Sequence, residues 1–105
     1  MITYKVLKKD KQLIELLIEG HALFADYGND IVCSSVSTAA ILTANAITHL
    51  GYKENVLVKY SEGNFKIKLN KFDEVPFKLI QNLEIALDDL ANQYPKNIKR
   101  SAKND

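Results

Sequence analysis

Leu-Ile-Glu-Leu-Leu-Ile-Glu-Gly-His-Ala-Leu-Phe-Ala-Asp-Tyr-Gly-Asn-Asp-Ile-Val-Cys-Ser-Ser-Val-Ser, residues 13–37, changes its hydrophobic rhythm partway, and that change decides the fold. Over residues 13–19, Leu13, Glu15, Leu17 and Glu19 alternate with Ile14, Leu16 and Ile18. Alternation of this kind predicts a β-strand whose second set lies on a buried apolar face. From residue 31 to about 50 the spacing becomes helical, with Val32, Val36, Ala39, Ala40, Thr43 and Ile47 on one stripe and Gly51 as the stop. Asp30 is the natural N-cap, which puts Cys33 at the third helical position. His21 falls just past the strand. Residues 22–29 join strand to helix, so His21 and Cys33 can meet although they lie twelve apart.

Working outward, Ile2, Tyr4 and Val6 alternate with Thr3 and Lys5 in a first strand, and Lys9-Asp10-Lys11 makes a polar turn. Val56, Val58 and Tyr60, a Ser61-Glu62-Gly63-Asn64 turn, and Phe65, Ile67 and Leu69 read as a second hairpin. A second helix starts near Asp73 to Pro76, carries Ile80, Leu83, Leu87, Leu90 and Tyr94 on its stripe, and ends before Pro95. Hairpins segregated from helices give an α+β class, ββαββα, most simply one four-stranded sheet with both helices packed on it. Residues 1–95 form a single domain and 96–105 a flexible polar tail. Strand order is not readable.

Composition fits that picture. The chain has 105 residues, 47% hydrophobic and 26% charged, enough for one modest core. Apolar area beyond what the core needs favours a dimer. The single cysteine excludes an intrachain disulfide and suits a reducing compartment. Leu16-Leu17-Ile18, flanked by Glu15 and Glu19, is too short for a secretory h-region, and nothing is read as a membrane span. A cytoplasmic location with no membrane partner is expected. No Lys or Arg occurs between Gln12 and Tyr52, where Glu15, Glu19, Asp26 and Asp30 give a formal −4 in a chain of net charge +1. Direct nucleic-acid contact is therefore not expected, because phosphate binding needs clustered cations. An acidic rim could steer a basic peptide, or the four carboxylates could simply be solvated.

The chemistry centres on Cys33. A thiol attacks as its thiolate, favoured by a helix N-terminus or a nearby imidazolium, whereas a cysteine without such neighbours often packs as a small hydrophobe. His21 would serve as general base and then as general acid. Backbone N–H groups from Val32 to Ser34 are oxyanion candidates at the expected helix start. Asp30 either caps the helix or orients the imidazole. Ser37, one turn beyond Cys33, either bonds back to the Cys33 carbonyl or reaches thiolate or substrate. Gly28 gives residues 22–29 the freedom to turn or close, and a mobile, gating loop is expected there. Phe24 and Tyr27 either contact substrate or fold onto the core. His49, near the helix C-terminus, reads as structural. One cysteine with two distant histidines matches no zinc spacing, and without a second cysteine a redox role lacks a resolving partner, so no metal or cofactor is implied.

Gly20-His21-Ala22, Tyr27-Gly28, Asp30-Ile31-Val32-Cys33 and Ser37 together resemble the signature of the ribosomal-processing cysteine proteases, the Prp family. The similarity extends over about residues 1–95; Ser34 and Ser35 stand where that family commonly has Ala or Gly. The resemblance implies a small cytosolic endopeptidase, acting as a homodimer, that removes the N-terminal extension of a large-subunit ribosomal protein. Cys33 and His21 would be its catalytic pair. The alternative class is a non-catalytic ribosome-associated assembly or interaction module.

Overall fold

The computed structural model describes residues 1–20 and 27–101, with 27–30 as helix backbone only. Its elements are β1 (Ile2–Lys9), β2 (Gln12–Glu19), α1 (Tyr27–His49), a short 3₁₀ turn (Lys53–Asn55), β3 (Val56–Ser61), β4 (Asn64–Leu69), α2 (Glu74–Gln93) and β5 (Ile98–Arg100). The sheet has five strands in the order β3-β4-β2-β1-β5, all antiparallel except β5, which runs parallel to β1. The α+β class is as expected, but the four-stranded sheet is corrected to a mixed sheet of five.

Both hairpins form where the turn chemistry places them. Asp10 and Lys11 adopt φ of 54° and 66°, the left-handed pair that a two-residue hairpin turn requires. The β2 pattern is altered by a bulge: Leu7 faces Glu15 but Lys8 faces Leu13, leaving Ile14 as the extra residue. An extra residue reverses the parity beyond it. Leu13 therefore joins Leu16 and Ile18 in the core, while Ile14 is only half-buried.

One core holds the molecule together. Ile2, Tyr4, Val6, Leu16, Ile18, Phe65 and Ile67 present the inner face of the sheet to Val32, Val36, Ala40 and Ile47 of α1 and to Ile80, Leu83 and Leu87 of α2. α2 starts within the expected Asp73 to Pro76 stretch, where Asp73 caps it by accepting from the Val75 N–H at 2.9 Å. Within α1, Ile31–His49 is an uncharged stretch long and apolar enough to cross a membrane by length and composition alone, which corrects the expectation that nothing approaches a span. In this fold its apolar stripe packs on the sheet.

The expected tail is also corrected over the described residues through 101. Ile98 is buried, and β5 pairs Ile2 with Ile98, Thr3 with Lys99 and Tyr4 with Arg100. The Arg100 guanidinium donates to Asp88 Oδ1 at 2.9 Å and Glu84 Oε2 at 2.6 Å, and stands over the Tyr4 ring. Tyr4 donates its hydroxyl to the same Asp88 oxygen. Burial, then Asp88, pushes the Tyr4 hydroxyl well above its ordinary range, so it remains a donor. Burial opposes the Arg100 charge, but Glu84 and Asp88 outweigh it and hold the guanidinium firmly protonated. A single apolar residue in a basic run shows no periodicity; pairing with β1 and the clasp on α2 create this strand.

Candidate active site

β2 ends at a glycine for a steric reason. Gly20 has φ +94°, and a Cβ there would lie 2.5 Å from the Met1 carbonyl oxygen. Its N–H donates to the Gly63 carbonyl at 2.9 Å, tying the strand end to the β3–β4 turn. This junction forms one wall of a pocket of about 60 Å³, and α1 supplies the other through Cys33, Val36, Ser37 and Ala40. Ile2, Ile18 and Phe65 line its base, with Tyr60 and Asn64 at the hairpin end.

Cys33 is half-buried, packed against the core on one side and open to the pocket on the other. Ser37 shares its helix face one turn on and lines the same pocket. Back-bonding within this helix is made by Ser35, which donates to the Ile31 carbonyl at 2.9 Å, and by Thr43, which donates to Ala39 at 2.8 Å. Among the described residues Ser37 does not take that role.

The helix start differs from the expectation. α1 begins at Tyr27, so Asp30 is its fourth residue and Cys33 its seventh. Asp30 is not the N-cap. Aspartate is favoured throughout a helix's first turn by the dipole as well as at the cap, so its presence does not fix the start. An α-helix commits its N–H groups to carbonyls four residues back after the first four donors. The Val32 and Ser34 N–H groups are thus helix-interior donors, and their assignment to an oxyanion hole is corrected. Gly28 lies in α1 instead of in a connecting loop, so the loop expected over residues 22–29 does not include its last three positions.

His21, Phe24 and the rest of 21–26 lie outside the described residues, as do the side chains of Tyr27, Gly28 and Asp30. Gly20 nevertheless fixes where the chain enters that segment, on the same pocket that Cys33 lines. The expected acidic rim is divided: Glu15 sits on the sheet's outer face opposite Lys68, and Glu19 at the strand end opposite Asn64. His49 closes α1 as its last residue and is exposed.

Sequence reasoning missed Tyr60, Gly63, Asn64 and Ile2 as pocket residues. The hairpin itself was visible in the Ser61-Glu62-Gly63-Asn64 turn. Its position against Cys33 depends on β4 pairing with β2, which no local signal carries.

Residues 1–99 match the model of the family described as Cysteine protease Prp. The chain is 27% identical to the ribosomal processing cysteine protease Prp of Staphylococcus aureus over 107 aligned positions, spanning 98% of this chain and 100% of that protein. To the protein of the same name from Bacillus subtilis it is 27% identical over 96 positions, 86% of each chain. Among solved structures, the S. aureus ribosomal processing protease Prp in complex with a substrate peptide superposes with a TM-score of 0.85 at 25% identity, covering 99% of this chain and all of that one.

Proposed function

Because the chain belongs to the cysteine protease Prp family, and is a cysteine protease, we propose that its substrate is the N-terminal extension of a large-subunit ribosomal protein, removed during ribosome assembly in the cytoplasm. The observation that carries the reading is the pocket at the junction of β2 and α1: Cys33 lines it, and Gly20, the residue before His21, lines it too. His21 follows Gly20 directly in the sequence.

In the proposed mechanism His21 accepts the Cys33 thiol proton and Sγ attacks the scissile carbonyl. The C–N bond breaks as His21 passes that proton to the leaving amine, and a thioester remains on Cys33. Water, deprotonated by His21, then attacks the thioester; the acid product leaves and the proton returns to Sγ. In this reading Ser37, which lines the pocket, contacts thiolate or substrate, and Asp30 is a supporting residue. No cofactor takes part.

A homodimer belongs to the same reading. Its support is a groove between α1 and the edge strand β3, lined by Ala44, Thr48, Val56, Leu57 and Val58 together with the polar Asn45, Lys53 and Glu54, with Ile41 exposed one turn away on the helix.

The test is processing of an extended ribosomal-protein peptide by purified enzyme. Cys33→Ala and His21→Ala are each expected to abolish cleavage while unfolding at the wild-type temperature. Substantial cleavage by Cys33→Ala would remove the mechanism.

A further inference from the structure

We propose that the outer face of the sheet, turned away from the Cys33 pocket, is a docking surface for the phosphate backbone of duplex RNA. The choice of RNA among polyanions rests on the ribosomal setting proposed above, whereas the surface itself stands on strand register.

Lysines from four strands meet on that face. Ile2, Tyr4 and Val6 of β1, Leu16 and Ile18 of β2, and Phe65, Ile67 and Leu69 of β4 fill the core, so the residues between them point outward. Across the sheet the register forms a row: Lys59 stands opposite Lys66, Lys66 opposite Leu17, and Leu17 opposite Lys5. In the next row Lys68 stands between Leu57 and Glu15, and on the other side Lys99 pairs with Thr3, which pairs with Glu19. Lysines therefore outnumber glutamates on this face. Neighbouring strands lie about 4.8 Å apart, so the row from Lys59 to Lys5 spans about 14 Å. Lys59, Lys68 and Lys99 are exposed, Lys5 and Lys66 half-buried.

This arrangement is costly for the fold alone. Like charges directly opposite each other destabilise a sheet, as Lys59 and Lys66 must. A lysine on an edge strand deters pairing with another chain, which accounts for Lys59 on β3. It does not account for Lys66, because β4 has partners on both sides. The helical side has the opposite sign, with Glu74, Glu84, Asp88 and Asp89 of α2 against Lys78. Charge segregated in this way turns the sheet toward a polyanion. The expectation against nucleic acid came from the stretch between Gln12 and Tyr52 that holds no Lys or Arg. Of the sheet, that stretch supplies β2 alone; the cations come from β1, β3, β4 and β5, and only the strand order gathers them.

The same parity selects the occupant. Tyr4 and Phe65 are buried on the inner face and Tyr60 pairs with Phe65, so the outward set offers ammonium groups, not rings on which unpaired bases stack. An RNA duplex is instead contacted largely through phosphates and 2′-hydroxyls, which suit lysines and the Thr3 and Ser61 hydroxyls. Because Ile2, Ile18 and Phe65 place the Cys33 pocket on the inner side, RNA on the outer face leaves it open to a peptide.

The test measures binding of the full chain to a fluorescently labelled RNA duplex by anisotropy over a range of salt concentrations. Wild type should bind in the micromolar range at low salt and weaken steeply as salt rises. Lys59→Thr/Lys66→Thr should weaken binding about tenfold or more and flatten the logarithmic salt slope by about 2, one for each phosphate contact removed. Its melting temperature should equal or exceed that of wild type, since a like-charge pair is gone, and its kcat/KM on a short extended peptide without RNA should be unchanged. Lys53→Ala/Lys78→Ala removes the same charge away from this face and should bind RNA as wild type does.

Equal weakening by the two double variants would reduce the effect to net charge and overturn the site. Tighter binding of a DNA duplex of the same sequence, or of polyglutamate, would assign the face to another polyanion and overturn the choice of RNA. Absence of RNA binding by wild type at low salt would overturn the proposal outright. A chain that binds RNA through these lysines yet cleaves no extended peptide would support this face and sink the substrate reading above.

Discussion

Gly20→Ala strikes the junction of fold and site, and its cost can be assembled from two separate terms. The first is conformational: at φ +94° an alanine occupies backbone space that L-residues avoid, worth about 1–2 kcal/mol. The second is steric. The new Cβ would sit 2.5 Å from the Met1 carbonyl oxygen and 3.5 Å from the Ile2 Cα, so the β1 start must shift. Met1 is 59% exposed and can yield, but the shift disturbs the Ile2 N–H bond to Asn97 O, 3.0 Å long, which begins the pairing with β5. Together the two terms predict a loss of about 2–4 kcal/mol. For a domain of this size that lowers Tm by roughly 10 °C or more. Gly51→Ala is the control, because Gly51 has nearly the same φ, +95°, with nothing within 4 Å of its added Cβ. It should show the conformational term alone, about 1–2 kcal/mol. Thermal unfolding by circular dichroism measures both variants. Kinetics well below either Tm should show kcat/KM falling for Gly20→Ala and holding for Gly51→Ala, since only Gly20 sets the direction of the chain into His21. Equal Tm shifts for the two variants would refute the steric argument, and a Gly20→Ala enzyme of full activity would refute its link to the site.

Arg100→Ala should cost about 1–3 kcal/mol in urea unfolding, because it leaves Asp88 and Glu84 without their shared cation on a half-buried surface; unchanged stability would make the clasp idle. The raised Tyr4 hydroxyl gives a pH dependence with a definite sign. Its folded form binds the proton more tightly than the unfolded chain, so this stabilisation is whole below the ordinary tyrosine value of 10.0 and is lost as pH rises above it. Urea titrations from neutral pH into the alkaline range should show a steeper decline for wild type than for Tyr4→Phe, and parallel curves would contradict the assignment.

What the sequence made legible was local. The polar turn at Lys9-Asp10-Lys11, the start of α2 near Asp73 and the helical stripe from Val32 to Ile47 each depend on residues within a few positions of one another. The same is true of Cys33 and Ser37, which share a pocket because one helical turn separates them. Features set by partners distant in sequence were not legible. The bulge at Ile14 is fixed by the strand opposite, and β5 exists because β1 has an open edge and α2 offers Glu84 and Asp88 to Arg100. Asp30 failed for a different reason: the same aspartate satisfies a cap and a first turn, so local chemistry could not choose between them.

The pocket shows how the two kinds of information combine. Its nucleophile candidate comes from a local motif on α1, but its far wall comes from the β3–β4 hairpin, brought alongside by the order β4-β2 and fastened by the Gly20 to Gly63 hydrogen bond. A motif can therefore identify the reacting group while leaving the subsite unread.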